Sequence, residues 1–598
     1  MILFLAVVVL SAPFASVAMS QTRPATRPTT KPSPSPVLTW SRDLHPDTWV
    51  ATDELGRSLP THELVGRPRP NRFVGIFYFI WMGSHSTELY DINELLKANP
   101  DDPQYGPPGK FHWWGKPLFG YYRSDDRWVI RRHAQMLAAA GVDVMIFDVT
   151  NGFTYDPAVL AICEVMTEMR ARGEQTPSIA FITWAPTEKV VGHLYETFYK
   201  PEKFKDLWFI WKGKPLILAN ESKMTQEWKD YFTVRTTWFH ARPERWWGDG
   251  QNKWCWGDIF PQTPGWTESP DKPEQISVSA ATHPTGNIGR SHRDGIQPPP
   301  HLFASAEGRQ FAQQFERALA VAPEFVFITG WNEWVAQRFI DGRAPMFLGK
   351  PLPKGGTYFV DQFNHEYSRD LEPLSDAFGD AYYYQMTSFI RRYKGARPIP
   401  AAPSDPAMRV NGNFAKWQSV EPEYRSFTND TTPRSHDGWK DQPRFENRTG
   451  RNDLVAAKVV RSSDAVLFHV RTAEPITSPD RGNWMTLLID SDSDASTGWM
   501  GYDLLVNRRR GARTATIERN VDGRWAWQAA GSAEYRVAGN ELELAVPMTL
   551  FGGGQPVRSF DFKLADNLPD EPEWRDLYTT GDVAPIGRFN WRVVFADE

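Results

Sequence analysis

Between residues 72 and 397, short apolar runs alternate with stretches of helical periodicity. The runs are FVGIFYFIWMG (73–83), VDVMIFDVT (142–150), SIAFITWA (178–185), PLILAN (215–220), TVRTTWF (233–239), KWCWGDIF (253–260), QISVSAATHP (275–284) and FVFITGWNEW (325–334). Most are apolar at consecutive positions, which predicts strands covered on both faces. The segments 125–140, 157–172 and 309–321 read as helices between them. Buried parallel strands with helical crossovers predict an α/β fold, a (β/α)8 TIM barrel.

The pattern changes near residue 398. IPAAPSDP reads as a linker, and beyond residue 410 apolar and polar positions alternate in VLFHV (466–470), WMTLLID (484–490), YDLLVN (502–507), TATIER (514–519), LELAV (542–546), FDFKL (560–564) and WRVVF (591–595). Turn signals at Asp522-Gly523, Gly539-Asn540 and Gly552-Gly553-Gly554 separate some of them, which predicts an all-β antiparallel sandwich. At the other end, Ile2–Leu10 is apolar and Ser16-Val17-Ala18 offers small residues for cleavage, although no Lys or Arg precedes the run. That run is too short to span a bilayer. The expected organisation is a signal peptide (1–20), a Pro/Thr-rich linker (21–40), a barrel catalytic domain (41–397), a linker (398–409) and a carbohydrate-binding-like sandwich (410–598). A secreted or periplasmic protein follows, not membrane-spanning, and a cut near Pro400 is expected to leave a soluble barrel.

Composition narrows the chemistry. A net charge of -5 gives no electrostatic case for nucleic acid. Two cysteines, Cys163 and Cys255, read as buried thiols, so a large core rather than disulfides is expected to hold the fold. The 26 tryptophans allow two readings, a large aromatic core or indole faces that stack on sugars.

Barrel sites lie at the C-terminal ends of the strands, and polar or aromatic residues recur there: Asp148, Trp184, Asp258, His283, and the Trp331-Asn332-Glu333-Trp334 row. A carboxyl between two indoles suits glycosidic chemistry, because burial favours an acid and a charged neighbour favours a base. Alternation along an extended strand puts Trp331 and Glu333 on the pocket side and Asn332 and Trp334 behind. Trp81, Trp184, Trp331, Asn332, Trp334, His283 and Asp258 are the candidate substrate contacts.

With its strand-8 WNEW, the barrel resembles the family 71 and 99 glycoside hydrolases and their 71/99-like relatives. FDVTNG (147–152), WGDIFPQ (256–262), SAATHPTGNIGRS (279–291) and FVDQFNHEYSRDLEP (359–373) carry the resemblance. It implies carboxylate-pair catalysis on glycans. The family 99 pattern NEWxE places a second catalytic Glu three residues after the first, and here that position is Ala336. The partner must come from elsewhere: Asp148 first, with Asp361, Glu366 and Glu372 as rivals.

The C-terminal region resembles family 9 carbohydrate-binding modules, through NGNFAKW (411–417), RTGRND (448–453), NWMTLLIDSDSD (483–494) and TGWMGYDLLVN (497–507). Within it, Asp490, Asp492 and Asp494 alternate in a turn and suit a structural calcium, although the EF-hand pattern is incomplete. The expected function is hydrolysis of a polysaccharide or complex glycan by carboxylate acid/base chemistry, with no organic cofactor required. The alternative is a non-catalytic glycan-binding protein on a barrel scaffold. A uronate lyase ranks third.

Overall fold

The computed structural model describes residues 42–85, 88–439, 442–479, 482–551 and 557–596. The expected signal peptide and Pro/Thr linker, and the 552–554 turn, lie outside these residues. Eight strands are parallel neighbours: β1 (Phe73–Tyr78), β2 (Val144–Asp148), β3 (Ser178–Ile182), β4 (Lys214–Leu218), β5 (Thr233–Phe239), β6 (Lys253–Gly257), β7 (Pro273–Ser279) and β8 (Phe325–Thr329). Their order across the sheet is β6-β5-β4-β3-β2-β1-β8-β7. This is the chain order with one cyclic break, as a sheet curling toward closure requires. Across that break the Gln275 side chain of β7 donates to the Cys255 carbonyl of β6 at 2.8 Å. Two short antiparallel strands join it, Ile210–Trp211 beside β4 and Gly265–Trp266 beside β7, so the sheet is mixed and barrel-like.

Packing explains the closure. A Cβ on Gly75 of β1 would lie 2.4 Å from the Phe325 ring, so the missing side chain makes room for that aromatic. Deeper toward the strands' N-terminal ends, Arg235 of β5 and Glu274 of β7 form a buried ion pair at 2.7 Å. Helices α1 (Arg127–Ala140), α2 (Asp156–Ala171), α3 (Arg309–Val321) and α4 (Ala381–Lys394) follow in the chain. Asp126 begins α1 as its N-cap, accepting from the backbone N–H of Trp128 and Val129, and Gly141 ends it at φ 87°.

β8 is shorter than the sequence pattern suggests. It ends at Thr329, and residues 330–334 are irregular before the chain resumes as β9 (Val335–Phe339). β9 runs antiparallel between Phe111–Trp113 and Tyr358–Phe359. The approach at this point is tight: a Cβ on Gly330 would sit 2.8 Å from an Asp370 carboxylate oxygen.

Most of the C-terminal strands form one antiparallel all-β sheet that is also barrel-like, running from Tyr424–Arg425 to Asp582–Ala584, with Trp591–Val594 paired to Ser559–Asp566, while Arg434–His436 and Phe445–Asn447 pair separately. Its contact with the barrel region contains buried charge. Arg588 reaches Asp380 at 2.8 Å and Arg434 reaches Asp126 at 2.8 Å. Asp380 and Asp126 are almost fully buried. Tyr384 and Tyr578 share a hydrogen bond, and the Trp439 indole donates to the Glu88 carbonyl. Cutting near Pro400 would uncover these carboxylates without their arginines. These contacts bear against the expectation of a soluble free barrel, because the cut would expose the surface that Arg434 and Arg588 now cover.

Candidate active site

Glu333 lies just past β8, in the irregular stretch, and is 6% exposed. Its Oε2 accepts from Arg369 Nη2 at 2.5 Å. Its backbone N–H donates to Asp370 Oδ1 at 2.8 Å. The segment carrying Arg369 and Asp370 is held in turn: Gln362 donates to Asp370 Oδ2 at 2.6 Å and accepts from the Arg369 backbone N–H at 3.0 Å. Sequence reading missed Arg369, Asp370 and Gln362. The available signal was an arginine immediately before the Asp-Leu-Glu-Pro element.

Asp361 shares the same guanidinium. Its Oδ1 lies 3.8 Å from Arg369 Nη2, so the Glu333 and Asp361 oxygens can be no farther apart than those two contacts laid end to end. Asp361 keeps 41% side-chain exposure, the most open carboxylate of the group. His283, at the mouth beyond β7, places Nδ1 3.7 Å from Asp361. Burial, with help from Arg369 and His240, holds that imidazole well below its usual range, so it is neutral.

Asp148 closes β2 and is 4% exposed. Its Oδ1 accepts from the Thr150 backbone N–H and hydroxyl at 3.0 and 2.8 Å, and its Oδ2 from the Trp81 indole at 3.2 Å. Trp81 is itself packed against Phe79, Phe111 and Tyr155, so it orients Asp148 rather than offering an open face.

The electrostatics follow from crowding. Burial raises the Glu333 carboxyl well above the ordinary carboxylate range; Arg369 opposes this, while the charges of Asp361, Asp370 and Asp148 add to it. Burial likewise raises Asp148 and brings Asp370 up to about 7; Asp361, although its side chain is 41% exposed, sits within the cleft and is raised by the protein packed around it. Three carboxyls, Glu333, Asp361 and Asp370, thus lie around one guanidinium, and Asp148 adds its charge to Glu333. The group can hold a proton at Glu333 while Asp361 remains reachable from solvent.

The other expected residues lie elsewhere. Trp331 does not point beside Glu333, because the strand has ended; its ring packs edge-on to His133 of α1 and Tyr383 of α4 and is fully buried. Asn332 bonds both the N–H and the carbonyl of Phe79, clamping the continuation of β1. Trp334 stacks on Trp114 at 4.3 Å and donates to Glu372. Glu372 also accepts from Tyr122 at 2.6 Å and meets His133 at 3.0 Å, so its carboxylate is consumed within the core. Glu366 accepts from the Ser291 N–H and hydroxyl, Gln297 and Ser305. Asp258 accepts from the backbone of Ile259 and Thr263. These three carboxylates tie protein segments together.

Trp184 is half-buried and belongs to a trio, 4.2 Å from the Trp238 ring and 4.8 Å from Trp246. Trp256, also half-buried, has the Arg369 guanidinium over its face at 5.4 Å and Phe77 stacked on it. Partly open indoles near β3, β5 and β6 are suited to sugar faces.

In the C-terminal sheet, Asp490 and Asp492 do come together, but their third partner is Asp503 rather than Asp494, with oxygens within 4.8 Å. Asp494 instead accepts from Ser496. Oxygen donors of this kind suit Ca²⁺.

No family model and no curated protein matches the chain. Solved structures similar to it include the GH99 endo-alpha-mannosidase of Bacteroides thetaiotaomicron, free and in complex with BIS-TRIS-Propane. Each is 14% identical, covers 54% of this chain and 97–98% of its own, and has a TM-score of 0.33 or 0.32 respectively. At this distance the likeness does not extend to substrate or to site residues. Among the described residues, no helix is long and apolar enough to cross a membrane.

Proposed function

We propose that the chain is a glycoside hydrolase of the 71/99-like type, acting on a polysaccharide or complex glycan from its barrel domain. The observation that carries this reading is the pair Glu333 and Asp361, two unlike carboxyls held on one guanidinium at the mouth of the barrel. Glu333, buried and raised, serves as the general acid that protonates the departing glycosidic oxygen. Asp361, open to solvent, is the partner on the other side of the bond. Asp148, engaged by Thr150 and Trp81, adds charge that helps keep the proton on Glu333. The half-buried indoles Trp184, Trp238, Trp246 and Trp256 position sugar rings. The chemistry needs no organic cofactor. An exported location accords with residues 1–36, and a carbohydrate-binding role for the C-terminal domain with its resemblance to family 9 modules.

The test is release of reducing ends from a polysaccharide panel by the purified chain, with Glu333→Gln and Asp361→Asn beside it. Turnover by wild type and loss in both variants is the expected result. A second reading, glycan binding without turnover, is favoured by the direct hold of Arg369 on Glu333. It would show as retained glycan affinity in all three proteins with no product from any.

A further inference from the structure

A second acidic group lies where the barrel meets the C-terminal sheet, away from Glu333. Asp430 stands in the turn after Tyr424–Arg425, Asp453 precedes the strand Leu454–Arg461, and Asp582 opens Asp582–Ala584. Carboxylate oxygens of the three lie within 4.8 Å of one another. One oxygen of each is already occupied. Arg132 of α1 donates to Asp430 Oδ2 at 3.4 Å, the Asn429 backbone N–H to Asp453 Oδ2 at 2.7 Å, and the Leu454 backbone N–H to Asp582 Oδ2 at 2.5 Å. The remaining Oδ1 atoms of Asp430 and Asp453 are buried and have no hydrogen-bond partner. Asp430 as a whole is 4% exposed.

The barrel contributes a fourth carboxylate. Glu174, in the turn after α2, is fully buried; its Oε1 accepts from the Thr428 backbone at 2.5 Å, and its Oε2 has no partner. The guanidinium groups in contact with this cluster are Arg132 on Asp430 and Arg42 on Glu174, the latter at 3.8 Å. Four carboxyls thus share two guanidinium contacts. An isolated buried carboxylate is costly to keep ionised, and unfilled buried acceptor atoms add to that cost.

We propose that Asp430, Asp453 and Asp582 bind one divalent cation of the calcium type, which clasps the C-terminal domain to the barrel. Such an ion offsets the mutual repulsion of the crowded carboxylates and gives the orphaned oxygens a partner. The donors on offer are oxygens, with no His or Cys among them, which favours a hard cation over zinc or copper. The Asp490, Asp492 and Asp503 group differs in both respects. Asp492 is exposed, and the carboxylates there already accept from Ser491, the Asp494 backbone and Thr497. That loop is satisfied by its own amides and hydroxyls, whereas the junction is not.

The experiment uses the full chain, stripped with EDTA, dialysed, and titrated calorimetrically with calcium chloride. Wild type is expected to bind one more ion per chain than Asp430→Asn or Asp453→Asn, and Asp492→Asn is expected to keep that ion. Thermal unfolding of stripped wild type should move to higher temperature in millimolar calcium, with no such move for Asp430→Asn. Equal stoichiometry in wild type and both junction variants, or no calcium response in wild type, overturns the proposal. Magnesium binding as tightly as calcium overturns the calcium-type assignment. Should the variants fail to fold, crystals of wild type grown in calcium decide the matter: density bridging the Asp430 and Asp453 Oδ1 atoms supports the clasp, and a water or nothing there refutes it.

Discussion

Two buried glutamates, each paired with an arginine, lie toward opposite ends of the barrel, and their surroundings differ. Glu274 receives Arg235 on both oxygens, Nε on Oε2 and Nη2 on Oε1, each at 2.7 Å. The Trp211 and Trp254 indoles and the Thr267 hydroxyl complete its shell at 2.8–2.9 Å. Burial alone would raise this carboxyl, but these donors bring it down to about 2. Glu333 has one arginine contact and three acidic neighbours, and it is pushed the other way. Hydrogen-bond donors outnumber charges of like sign at one end, and the reverse holds at the other. The first arrangement stabilises an anion for the sake of the fold. The second leaves a proton available at the end where barrel sites sit.

The sharpest way to break this comparison is at Glu274. Replacing it by Gln leaves Arg235 buried without its counter-charge, which should cost about 3–5 kcal/mol in urea unfolding. The pH dependence has a definite sign. The folded value of about 2 lies below the unfolded value, so the stabilisation is present above roughly pH 4.5 and lost as pH falls toward about 2. Over that window the wild-type advantage over Glu274→Gln should shrink by about 3 kcal/mol. A gap that stays constant from pH 6 down to 3 would show that the pair is not the origin of the effect.

The corresponding change at Glu333 should invert the outcome. Glu333→Gln is expected to lower turnover at least about a hundredfold, the scale of a lost acid–base group. Because Asp361 and Asp370 still face Arg369 after this change, the melting temperature should fall less than in Glu274→Gln. A fall in melting temperature comparable to that of Glu274→Gln, with turnover intact, would make Glu333 another structural carboxylate and erase the distinction.

Sequence pattern revealed much of the scaffold and less of the site. The eight apolar runs became the eight parallel strands, because continuous hydrophobicity is what a strand covered on both faces requires. Glu333 was legible as a carboxyl at a strand end, whereas Asp361 was only one of three rivals to Asp148 for its partner. What alternation could not show was that β8 stops at Thr329. Beyond it Trp331 turns among the helices, Asn332 clamps β1, and Trp334 joins Trp114 and Glu372. Nor does one-dimensional order show which acids meet a donor. Glu366, Glu372 and Asp258 resemble Asp361 as letters, yet loop amides, hydroxyls and indoles consume them. The Asp430, Asp453 and Asp582 group spans more than 150 positions of chain and is visible only after folding.

The smallest expected effect concerns Arg369, and it separates tuning from chemistry. If Glu333 is the acid, activity should fall on the alkaline side as its proton is lost, and on the acidic side as Asp361 gains one. Arg369 lowers both carboxyls against the raising effect of burial. Removing its charge with Arg369→Gln should therefore raise both, moving the whole pH–rate profile upward by about one unit, the lower end of what an adjacent opposite charge contributes. The maximal rate should change less than in Glu333→Gln, because the proton donor remains. A profile that loses height without moving would mean that Arg369 only holds the segment carrying Asp361 and Asp370 in place. A profile that moves while keeping its shape would show that this single guanidinium, unlike Arg235 at the other end, sets the working range of an acid instead of fixing an anion.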